Sequence, residues 1–220
     1  MNAVRRLLVV CALVLWSHVA AHAHDANVGL VDQVAGDVSY AGNTDRGTAH
    51  AFMKMRQGDR FTLADGAQLR VVYFRNGRQE TWRGPASFTS GSEHSELLTG
   101  TVPGVATLPV AVPQRIQKIP ELIQMAKLGG IQVRGVAARL QPSAEQDSDV
   151  AAARITYAQL RRQLPQEDIT PALYLFTVLQ DYLLYDDMKT TVDEMLRMQP
   201  GNHEAAQLAE WVRGHVQPGR

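Results

Sequence analysis

Arg70, Arg75, Arg78 and Arg83 cluster around the dipeptide Asn76-Gly77, with Tyr73 and Trp82 among them. A guanidinium keeps its charge at any physiological pH and can grip a carboxylate through two parallel N–H bonds. An aromatic face beside it adds a stacking or cation–π surface. These residue types suit a carboxylate on a protein partner or an anionic glycan. The same pattern also describes an edge hairpin whose charges block aggregation. On the binding reading, replacing Arg75 and Arg78 together by Ala should weaken partner capture. Stability should hardly change, because exposed substitutions usually stay within about 0.5 kcal/mol.

The remaining polar residues offer less chemistry. Glu93-x-x-Glu96 and Asp186-Asp187 are the nearest carboxylate pairs. A glycosidase needs two carboxylates facing one cleft, one of them with a raised pKa. Glu93 and Glu96 sit among Ser92, His94 and Ser95, which reads as a solvated loop. Asp186-Asp187 suits the first turn of a helix, where the dipole favours negative charge. Ser90-Gly91-Ser92 lacks the strand-turn-helix context of a nucleophile elbow. Gly129-Gly130 lacks the Lys and Ser/Thr of a phosphate loop. His24, if it became the first residue, could chelate Cu(II) with His50 or His94, but no paired histidine motif supports the idea. His50, His94, His203 and His215 are scattered and read as surface residues. The expectation is therefore no catalytic residues, no metal and no cofactor.

The start of the chain reads as an address. Arg5 and Arg6 precede an apolar run from Leu7 to Trp16, and Ala21-His22-Ala23 fits a small-x-small cleavage pattern. Residues 1–23 are thus expected to be a secretory signal peptide, cut between Ala23 and His24. A retained anchor is the competing reading. The ten-residue run makes only about 15 Å of helix, against a hydrocarbon core of about 30 Å. Cys11 is the one cysteine of 220 residues, so no intrachain disulfide exists. Lys+Arg and Asp+Glu are balanced at 22 each, which offers nucleic acid no basic surface. Export without disulfides suits a bacterial periplasm, with no membrane span after cleavage.

Two kinds of element must position these residues. From Val28 to about Thr99 the pattern is β, with expected strands at 29–35, 37–40, 59–63, 68–74, 78–83 and 86–89. Asn76-Gly77 predicts a two-residue type I′ hairpin. Residues 100–118 are rich in Pro and Gly and read as an extended linker, or an edge strand near 106–112. A short helix is expected from Pro120 to Lys127, a strand at 131–140 and a polar boundary loop at 142–149. From Val150 the period becomes helical. Thr170-Pro171 predicts a helix start with the Thr170 hydroxyl as cap, Asp186-Asp187 a third start, and Asn202 the cap of a last helix. The expected fold class is α+β: a small antiparallel β-sandwich or rolled sheet over 24–99, a linker with a short helix and strand over 100–149, and all-α helical hairpins over 150–220.

Residues 28–99 resemble a FecR-type domain, the periplasmic β-domain of iron-sensing sigma-factor regulators and of many other exported proteins. The likeness lies in Val31-x-x-Val34-x-Gly36-x-Val38, Gly58-Asp59, Asp65-Gly66, Leu69-Arg70-Val71-Val72-Tyr73-Phe74 and Asn76-Gly77-Arg78. It implies a fold rather than an activity, and sigma-factor regulation is not carried over. The stretch 195–202 resembles the junction of tetratricopeptide-like helical hairpins. The expected function is an exported, periplasmic, non-enzymatic binding or scaffold protein that contacts an envelope protein. The alternatives are a cell-wall glycan-binding module, taking peptidoglycan, and a carboxylate-dependent hydrolase using Glu93 and Glu96.

Overall fold

Alternation of apolar side chains along Gln68–Tyr73 sends Leu69, Val71 and Tyr73 to one face and Arg70 and Val72 to the other, yet all five are buried. A strand buried on both faces must lie between two layers. A computed structural model describes residues 27–128 and 143–216 and shows both layers. Among these residues ten strands form two five-stranded antiparallel sheets. One has the order β10-β7-β6-β1-β4, from β1 (Asn27–Ala35), β4 (Lys54–Arg56), β6 (Gln68–Tyr73), β7 (Arg78–Arg83) and β10 (Gly104–Thr107). The other has the order β3-β2-β5-β8-β9, from β2 (Val38–Ala41), β3 (Arg46–Thr48), β5 (Arg60–Leu63), β8 (Ala86–Ser90) and β9 (Ser95–Thr99). Between them lie Val31, Leu69, Val71, Tyr73 and Trp82 from the first sheet and Val38, Phe61, Leu63 and Phe88 from the second. Trp82 stacks on Phe88 with ring centroids 4.3 Å apart.

The outer face of the first sheet is covered over part of its area. Leu30 of β1 and Val72 of β6 join a second core with the helices. These are α1 (Ala111–Ile116), α2 (Ile119–Lys127), α3 (Ala144–Gln163), α4 (Thr170–Asp181), α5 (Tyr185–Met198) and α6 (His203–Arg213). Helix α4 is buried all round from Thr170 to Leu179, as a central helix must be. It packs against α1, α3 and α5, while α6 packs against α2 and α5. The layout is α+β, with the β part first and the helical part following.

Four expectations about the connections change. Residues 100–118 supply β10, which pairs with β7 from Gly104↔Thr81 to Thr107↔Arg78, and α1, which buries Val112 and Ile116. Helix α3 begins at Ala144, capped by the Ser143 side chain accepting from the Gln146 N–H at 3.1 Å, so most of 142–149 is helix. The β6–β7 connection is four residues long, Phe74 to Gly77, and only Gly77 has positive φ. Gly77 N–H bonds the Tyr73 carbonyl at 3.1 Å, and its own carbonyl accepts from Leu108 N–H at 2.8 Å. Thr170 is the first residue of α4 rather than its cap. The expected signal peptide, His24, Gly129-Gly130 and the strand at 131–140 lie outside the described residues.

Candidate functional site

The six residues of the predicted binding hairpin occupy four different environments. Tyr73 and Trp82 face the sandwich core and are fully buried. The Tyr73 hydroxyl lies 2.8 Å from Ser95 Oγ, and Trp82 Nε1 donates to Glu80 Oε2 at 3.2 Å. They cannot form the expected stacking surface, because period 2 puts them on the inner face of β6 and β7. Near the turn, Arg75 is exposed and pairs with Glu93 at 2.9 Å. Arg78 pairs at 2.5 Å with Glu80, whose side chain is 0% exposed. Arg70 is buried on the opposite face, under the helices. Its Nε donates to Thr81 Oγ1 at 3.3 Å, and an Nη lies 3.5 Å from Asp168 Oδ1. Arg83 is exposed.

Arg70 and Arg83 nevertheless line one groove of about 470 Å³, on the outer face of the first sheet. Its sheet side carries Thr81, Gly104 and Ala106, and the end of α3 with the following loop adds Leu164 and Pro165. A Cβ placed on Gly104 would have only the Thr81 carbonyl within reach, at 4.0 Å, so no described residue fills the space above it. Among the described residues strand β10 is an edge of its sheet, and Val102 and Val105 beside the groove are 76% and 50% exposed. A free edge offers unpaired backbone donors and acceptors to an incoming strand.

Next to the groove is a buried polar cluster joining sheet to helices. Asp32 of β1, Gln79 of β7, Asp168 and Thr170 are all buried. Thr170 Oγ1 donates to Asp32 Oδ2 at 2.8 Å and accepts from Gln79 Nε2 at 2.8 Å. Thr170 N–H donates to Asp168 Oδ1 at 2.9 Å. The expected capping role thus falls to Asp168, and the Thr170 hydroxyl reaches across to the sheet instead. Arg161 of α3 donates to the backbone carbonyls of Gln166 and Asp168. Burial pushes the Asp32 carboxyl up to about 7, the charge of Asp168 adds to the rise, and Arg70, Thr170 and Arg161 oppose it.

The other candidates are surface features. Glu93 pairs with Arg75 and Glu96 is exposed on β9. Asp186 and Asp187 lie in the first turn of α5, where Asp187 meets Arg154 at 3.0 Å. His50 lies 3.3 Å from Glu204, which joins the β3–β4 connection to the first turn of α6. The Glu204 hydrogen bond raises the His50 pKa against the opposing effect of burial. Among the described residues, no three His, Cys, Asp or Glu side chains are grouped to hold a metal ion. No helix among them is long and apolar enough to cross a membrane. No family model, curated protein or solved structure matches the chain.

Asp32, Gln79, Asp168 and Thr170 were not singled out together from sequence. One signal was present: Asp32 interrupts Val28-Gly29-Leu30-Val31, an apolar stretch with no reason to carry a charge on a covered face.

Proposed function

We propose that the protein is an exported, periplasmic, non-enzymatic binding or scaffold protein that works through contacts with an envelope protein. On this reading its β unit is FecR-like and its helices are an accessory layer. The groove between β10 and the α3–α4 loop receives an extended segment of the partner, which adds as a strand to β10. The observation that carries the reading is this groove, bordered by a free sheet edge and by the exposed guanidinium of Arg83. Grooves of several hundred Å³ with a few convergent polar groups are the usual form of binding sites. The partner chemistry that fits is a β-forming segment with an acidic residue for Arg83.

Gly104→Trp tests the groove, since the new side chain enters open space. The partner is first identified by crosslinking and co-purification of the wild-type protein from periplasm. The variant should keep its melting temperature and lose that partner. Retention of the partner would exclude the groove. Capture of purified peptidoglycan by the wild type, abolished in the variant, would favour the glycan-binding reading instead.

A further inference from the structure

We infer that the helical layer is docked on the sandwich through one proton held by the buried carboxylates of Asp32 and Asp168, so that the union of the two layers is favoured by acid. The inference does not depend on what the groove binds.

Asp32 comes from β1 and Asp168 from the turn before α4, and both are 0% exposed. Thr170 bonds to both, through its hydroxyl and its N–H, so the two carboxyls share one site. The second oxygens, Asp32 Oδ1 and Asp168 Oδ2, have no hydrogen-bond partner among the described residues. Two cations face the pair. Arg70 from β6 lies 3.5 Å from Asp168, and Arg161 from α3 donates to main-chain carbonyls rather than to either carboxylate. Gln79 from β7 is neutral and bonds Thr170. One carboxylate therefore has a guanidinium beside it, and the other has one hydroxyl.

Two ionised carboxyls in one buried site repel each other and each bears a desolvation penalty. A single proton removes one charge and converts an unsatisfied oxygen into a donor. Asp168 has the Thr170 N–H and the Arg70 guanidinium beside it, and Asp32 has neither. The proton stays on Asp32, whose pKa is pushed up to about 7, first by burial and then by the charge of Asp168.

Once the layers separate or the chain unfolds, Asp32 returns to the ordinary value near 3.8. Between that value and about 7 the docked state holds a proton that the separated state releases. The stabilisation is complete below the ordinary value and is lost as pH rises through the docked-state pKa. Within the window the unfolding constant gains about tenfold per pH unit from this group. His50 and Glu204 also titrate, but they do so equally in two variants that differ only at Asp32.

The test compares urea unfolding of the wild-type chain and Asp32→Asn across this pH range. Asn keeps the shape, accepts from Thr170 and donates an N–H without titrating. The ratio of wild-type to variant unfolding constants should climb about tenfold per unit between about pH 5 and 7, then level off. Parallel profiles would overturn the inference. Infrared spectra of the wild type provide a readout that needs no variant. A protonated-carboxyl band should be present at pH 5 to 6 and gone at about pH 9. Its absence at the lower pH would overturn the inference even if Asp32→Asn failed to fold.

Discussion

Arg75 and Arg78 are three residues apart on one hairpin, and their loss has different consequences. The Arg75–Glu93 pair is exposed, with Arg75 72% open to solvent. Such pairs contribute little, so Arg75→Ala should change unfolding free energy by no more than about 0.5 kcal/mol. Arg78 neutralises the fully buried Glu80. Its removal leaves that carboxylate with Trp82 Nε1 at 3.2 Å and the Ser95 N–H at 3.3 Å. Arg78→Ala should therefore cost about 1–3 kcal/mol, read from urea unfolding of the two single variants. Equal effects would refute the distinction. The double replacement is not the neutral surface probe that the sequence suggested. The alternation of Leu69, Val71 and Tyr73 against Arg70 and Val72 is plain in the sequence. What covers the second face is not, because the residues over Arg70 and Gln79 lie some ninety positions downstream, as in the Gln79–Thr170 bond with its separation of 91.

Elements with strong local signals were legible. The strands expected at 59–63, 68–74 and 78–83 correspond to β5, β6 and β7, and the starts at Thr170 and after Asn202 correspond to α4 and α6. Asn202 Oδ1 accepts from Ala205 N–H at 2.9 Å, as its residue type implies at a cap. Strands β3 and β4 were illegible because each has three residues and is defined by its partner rather than its own pattern, whereas the edge strand weighed near 106–112 is β10, shifted to Gly104–Thr107. Pro and Gly around β10 imitate a linker. Its pairing with β7 and the Leu108–Gly77 bond instead tie it into the sheet. Arg115 and Lys118, the nearest tryptic sites beyond it, both bond Asp181 of α4. Brief trypsin treatment should therefore leave 104–118 intact, whereas a loose linker would be cut early there. Fragment masses decide the matter, since an early cut after Arg115 or Lys118 would show that α1 is loosely held.

At the scale of the molecule, the helices and the first sheet share a core through Leu30, Val72, Val112, Ile116 and α4. Cooperative units follow shared burial. Calorimetry should accordingly record one unfolding transition, and residues 24–99 expressed alone should aggregate, because Leu30, Val72 and Arg70 would face water. Two resolved transitions, or a soluble folded fragment, would show that the sandwich stands without its helical cover. This interdependence was hidden from sequence, where the change of period near Val150 looked like a domain boundary. The Asp32–Thr170 bond, which spans 138 positions, also has a consequence in time. A ribosome adding roughly 5–20 residues per second needs about 7–28 s between the two. Throughout that interval the nascent sheet has a bare apolar flank and no helix to lay on it. A chaperone able to hold that flank until α4 emerges should therefore raise the yield of folded protein more than one that acts after release.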